Sequence, residues 1–147
     1  MIKRFTAVAV AVGALGASGV AEAAVKAGLY TGETSQKADV SLRVISSKKA
    51  VINYSFEGAV LGCENGATIQ LEGFKTPRAN KFTIKKGKFG FTATGDAQQV
   101  QVRGLIKSPR ATGTLRFLAI VNDQGQLDPN GQIGCDSGKL PWAAKRR

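Results

Sequence analysis

Lys81-Phe82-Thr83-Ile84-Lys85-Lys86-Gly87-Lys88-Phe89-Gly90-Phe91-Thr92-Ala93 reads as two strands around a turn. Phe82 and Ile84 alternate with Lys81, Thr83 and Lys85. Phe89, Phe91 and Ala93 resume the same face after Lys86-Gly87-Lys88. A helix repeats its apolar positions every 3.6 residues and a strand every two, so this period assigns β-structure.

The same period runs outward in both directions. Val40, Leu42 and Val44 alternate with Ser41 and Arg43; Ile52, Tyr54 and Phe56 alternate with Asn53, Ser55 and Glu57; Val100 and Val102 alternate with Gln99, Gln101 and Arg103. Each segment presents one apolar and one wet face, the pattern of antiparallel sheets packed on one side. From Thr112 to Asn122 both faces are apolar, Leu115, Phe117, Ala119 and Val121 on one and Leu118 and Ile120 on the other. That pattern predicts a central strand covered on both sides. Gly, Pro, Asn and Ser clusters separate the segments, among them Glu64-Asn65-Gly66, Ser108-Pro109-Arg110 and Asp128-Pro129-Asn130-Gly131. The expected fold is all-β: a single antiparallel β-sandwich, or small barrel, of about eight or nine strands.

The chain has 147 residues. Met1-Ile2-Lys3-Arg4-Phe5 is a short positive start, Thr6 to Val20 is mostly apolar, and Ala21-Glu22-Ala23 is a small-x-small triplet. This is the three-part pattern of a secretory signal peptide. It predicts residues 1–23 as a leader cleaved after Ala23, and 24–147 as one exported domain, secreted or held at the cell surface or in a periplasm. The apolar run is shorter than the roughly 20 residues of a membrane span, and no later stretch could serve as one. Leu140-Pro141-Trp142-Ala143-Ala144 before Lys145-Arg146-Arg147 lacks the Thr-Gly and the apolar span of a wall-sorting signal. In an oxidising compartment the two cysteines, Cys63 and Cys135, are expected to form one disulfide.

The chain has no histidine, which removes Ser-His-Asp and Cys-His catalysis and the usual zinc, copper and haem ligand sets. Leu61-Gly62-Cys63-Glu64-Asn65-Gly66 is echoed by Ile133-Gly134-Cys135-Asp136-Ser137-Gly138. Joining the two cysteines would bring two carboxylates, Glu64 and Asp136, near one another, as a hydrolase or a calcium site requires. The plainer expectation is a pair of turn acids. Ser46-Ser47-Lys48-Lys49 contains a Ser-x-x-Lys string, but it joins two strands and lacks the companion motifs of penicillin-recognising enzymes. The sequence therefore predicts no enzyme, no cofactor and no metal.

Charge is more informative. Residues 73–122 hold ten bases against one acid, Asp96, whereas residues 24–72 balance at five and five. By alternation Lys81, Lys85, Arg103 and Arg116 point away from the core, and Lys85, Lys86 and Lys88 crowd one hairpin tip. A basic sheet face attracts polyanions such as acidic envelope polymers or anionic headgroups. Nucleic acid fits poorly, because the aromatics of this region alternate onto the buried face and leave no stacking platform. A glycan-binding module using Tyr30, Tyr54 and Trp142 is the alternative.

Gly28-Leu29-Tyr30-Thr31-Gly32, Val40-Ser41-Leu42-Arg43-Val44, Ala111-Thr112-Gly113-Thr114-Leu115-Arg116, Cys135-Asp136-Ser137-Gly138 and Trp142-Ala143-Ala144 together resemble a group of small, exported, uncharacterised β-sandwich proteins of high-GC Gram-positive bacteria. The resemblance implies a secreted all-β module with one disulfide. It brings no activity and no site residues.

Overall fold

The period-two segments fold as strands. The computed structural model describes residues 24–147, and the leader expected over residues 1–23 lies outside the described residues. Ten strands follow in order: β1 (Gly28–Thr34), β2 (Asp39–Val44), β3 (Ala50–Cys63), β4 (Thr68–Lys75), β5 (Phe82–Thr83), β6 (Lys88–Thr94), β7 (Gln98–Lys107), β8 (Arg110–Val121), β9 (Ile133–Asp136) and β10 (Leu140–Arg146). There is no helix among the described residues, and hence none long and apolar enough to cross a membrane. Cys63 and Cys135 are bonded to each other.

All strand pairs are antiparallel. Hydrogen bonding runs β10–β1–β2–β3–β9–β8 and returns to β10, a closed circuit of six strands, with β4, β5, β6 and β7 attached outside it. The two long strands organise this arrangement. β4 pairs with Ser55–Gly62 of β3, so β2 and β9, which overlap that stretch, share the opposite edge of β3 in succession. β8 repeats the pattern, with β7 along one edge and β10 then β9 along the other. β9 thus bridges β3 and β8 at one end, while β2, β1 and β10 span between them at the other. The gap on β3 between β2 and β9 is filled by a side chain: Gln36 accepts from the Val60 amide (2.9 Å) and donates to its carbonyl (3.1 Å).

The core cluster draws on Tyr30 of β1, on Val40, Leu42 and Val44 of β2, and on the facing sides of β3 and of β6, β7, β8 and β10. Trp142, Gly113, Gly104 and Phe89 follow one another across β10, β8, β7 and β6. The two glycines leave room for the rings: a Cβ on Gly113 meets the Trp142 ring at 2.6 Å, and one on Gly104 meets the Phe89 ring at 2.2 Å. Tyr54 of β3 packs edge-on against Trp142 (5.8 Å) and Phe91 (5.5 Å) from the other side.

Two expectations change, and one strand was not expected. Ile52 does not share the inward face of Tyr54 and Phe56. Asn53, at φ 50°, makes a bulge that shifts the register against β2, so Val51 turns inward instead. β8 is central in hydrogen bonding but covered on one face only, and Ile120 on its outer face is 41% exposed. Leu140–Arg146 forms β10, with Leu140, Trp142 and Ala144 buried; Pro141 hid the alternation, because proline argues against a central strand.

Candidate functional site

The outer faces of β6, β7, β8 and β10 form one surface, and the cross-strand register fixes its rows. Lys88 lies beside Leu105, which lies beside Thr112. Gly90 lies beside Arg103, which lies beside Thr114. Gln101 lies beside Arg116, and Leu118 beside Asp136. At one end Lys107 lies opposite Arg110, and Arg110 opposite Lys145 of β10.

The hairpin tip joins this basic end. Lys85 and Lys88 exchange both backbone hydrogen bonds (2.9 Å each) around Lys86 and Gly87, whose positive φ values of 51° and 77° define a type I′ turn. The Gly87 carbonyl accepts from the Ile106 amide at 2.8 Å, which sets the tip against Lys107. Lys85, Lys86, Lys88, Arg103, Lys107, Arg110 and Lys145 are all exposed. Like charges directly opposite in a ladder destabilise a sheet by a few tenths of a kcal/mol. Here Lys85–Lys88, Lys107–Arg110 and Arg110–Lys145 are such pairs.

Two residues expected in the basic set fall outside it. Arg116 is on the outer face, but its guanidinium grips Asp136 through two hydrogen bonds, Nε to Oδ1 at 3.0 Å and Nη2 to Oδ2. That grip holds the Asp136 carboxyl below the usual carboxylate range and raises the arginine further. Lys81 precedes β5, which pairs with β3, so it does not share the β6–β8 surface. Among the described residues the ion pairs are Arg116–Asp136 and Lys37–Glu33, and neither involves the basic end. Alternation alone missed Lys107, Arg110 and Lys145 as a group, because Lys145 joins them only through the β8–β10 register.

The competing chemistries lose their residues. Tyr30 and Tyr54 are fully buried and Trp142 is 3% exposed, so none can stack on a sugar ring. The Tyr30 hydroxyl is occupied by the Lys26 carbonyl and the Ser108 hydroxyl. Burial pushes the Tyr54 phenol upward, and neither its hydroxyl nor the Trp142 Nε1 has a hydrogen-bond partner. Asp136 is ion-paired, and Glu64 accepts from the Gly134 amide at 3.3 Å. Among the described residues no three Cys, Asp or Glu side chains converge as a metal site requires.

A concavity of about 810 Å³ lies at the far end of the same outer surface, between the β6–β7 turn and the β9 bridge. No protein-family model matches the chain, and neither a curated protein nor a solved structure is significantly similar to it.

Proposed function

We propose that this chain is an exported, non-enzymatic binding module that captures anionic polymers of the cell envelope through the basic end of its outer sheet surface. The observation that carries this reading is the row Lys107–Arg110–Lys145: three cations adjacent across three strands, all exposed, with no carboxylate bridging them among the described residues. The Lys85–Lys88 turn extends the row and Arg103 flanks it. A sheet that places like charges in register gives up stability there, and a polyanion restores it by neutralising them together. Export is supported by the leader-like pattern of residues 1–23 and by the Cys63–Cys135 bond.

Binding of this kind weakens with salt, since exposed charges are screened over about 8 Å at physiological ionic strength. Chromatography of residues 24–147 on immobilised polyphosphate, developed with a salt gradient, tests it. The wild type is expected to elute well above physiological salt and to pass unretained through a neutral-glycan column. A Lys107→Gln/Arg110→Gln/Lys145→Gln triple variant is expected to elute much earlier, whereas Arg116→Gln, whose cation is already neutralised by Asp136, leaves elution near that of the wild type. Elution of the triple variant together with the wild type sinks the proposal.

A further inference from the structure

The groove at the opposite end of this surface is built differently. Its floor is the β8–β9–β3 sheet where Leu118 lies beside Asp136 and Asp136 beside Gly62. Leu118 and Ile120 face outward into it, and Ile120 is one of the few large apolar side chains left exposed. Of the two glycines of the internal echo, Gly62 hollows the floor. A Cβ on Gly62 has no atom within 4 Å, so the groove extends over this backbone, and Gly134 is overlain by the Glu64 carboxylate. The wall is the β6–β7 turn, which carries Asp96, the one acid among residues 73–122. With Asp136 neutralised by Arg116, Glu64 and Asp96 are the uncompensated charges of the rim. A volume of about 810 Å³ lies within the range of well-formed ligand sites, roughly 300–1,000 Å³.

We infer that this groove binds an extended peptide segment in which aliphatic residues are flanked by lysine or arginine. The aliphatic side chains cover Leu118 and Ile120 and settle over Gly62, removing apolar surface from water. The flanking cations meet Glu64 and Asp96. An open trough on a sheet surface admits a chain with a strand's period of two, and an apolar floor between carboxylates selects against both acidic peptides and purely hydrophilic cations. The molecule's net positive charge opposes a cationic ligand at long range, so the apolar contact supplies the affinity and the rim supplies the choice of charge. This site is separate from the basic end and does not depend on it.

The test is fluorescence anisotropy of a labelled, end-blocked Lys-Leu-Lys-Leu-Lys peptide with residues 24–147 at physiological salt. Saturable binding is expected, with little for the Glu-Leu-Glu-Leu-Glu counterpart. Gly62→Leu, at a position where a Cβ has no atom within 4 Å, puts a side chain into the groove and is expected to weaken binding at least roughly tenfold. Asp96→Lys, on an exposed turn where refolding is not at stake, is expected to weaken it several-fold. The Lys107/Arg110/Lys145 triple variant is expected to bind the basic peptide as well as the wild type, which separates this site from polyanion capture. Absence of saturable binding overturns the inference, as does binding that survives both Gly62→Leu and Asp96→Lys. Sedimentation of the wild type as a dimer that Gly62→Leu dissociates would assign the groove to a second copy instead.

Discussion

Asp136 stands opposite Gly62 on one side and Leu118 on the other, and Arg116 reaches it from two positions along β8. The Arg116 hydrogen bonds are the chief reason its carboxyl is held low; burial works the other way, and the Gly138 amide, at 2.8 Å from Oδ1, assists. A carboxyl whose folded value is depressed contributes stability above its unfolded value, and that contribution disappears as pH falls through the folded one. Asp136→Asn is therefore expected to lower the Tm at neutral pH, with the difference from the wild type closing as pH falls below the ordinary aspartate value of about 3.9. Thermal melts of both proteins across that range check it. The partner was not readable from the sequence, because Arg116 is 20 positions from Asp136 and nothing local links them. The echo, however, was meaningful. With Cys63 opposite Cys135 in antiparallel strands, Gly62 falls opposite Asp136, and the Glu64 amide donates to the Gly134 carbonyl at 2.9 Å. The Glu64 carboxylate occupies the space above Gly134, where a Cβ would meet it at 2.9 Å, whereas a Cβ on Gly62 would meet nothing, so the register explains one of the two glycines.

Among the elements, β3 departs most from its sequence pattern. The alternation from Ile52 to Phe56 is real in composition but broken in space, because Asn53 adopts a left-handed backbone and opens the ladder against Ser41–Arg43. A bulge adds one residue and reverses the faces beyond it. Asparagine tolerates this backbone and glycine tolerates it better, while a β-branched residue pays roughly 1–2 kcal/mol. The Asn53 Oδ1 is also buried without a partner. Asn53→Gly is thus expected to leave stability unchanged or slightly raised, and Asn53→Val to lower it by about 1–2 kcal/mol, read from urea unfolding. Segments free of such breaks, β2, β6 and β7, were read with the correct faces, since regular alternation carries register-independent information. Charge was harder to place. The density of bases in residues 73–122 was visible, but which of them meet depends on strands that pair across long separations, such as β8 with β10.

For the molecule as a whole, the circuit is closed at its weakest point by a covalent bond. β3 and β9 meet through only two residue pairs, Gly62–Asp136 and Cys63–Cys135, and the second of these is the disulfide. The bond closes a loop of 72 positions. In the chain-entropy account such a closure is worth about 4 kcal/mol, less any structure the loop retains when unfolded. A Cys63→Ser/Cys135→Ser variant is expected to lose up to that amount in urea unfolding, with the amides of β9 the first to lose protection from hydrogen exchange. The all-β class and the bridge between the cysteines were both readable from period, turn residues and cysteine number. The closure itself was not, because four-residue β9 is too short to carry a pattern and acts only through its two long neighbours. The same arrangement sets how the protein bears load. β1 and β10 are antiparallel neighbours, with Tyr30 beside Arg146, so tension applied at these two strands peels them apart one bond at a time instead of shearing them together. The peeling stops at Cys63 and Cys135. Everything between them is withheld from the force, so the stretched molecule keeps β4 to β8 with Lys107 and Arg110, while Lys145 leaves with β10 and the basic row is divided.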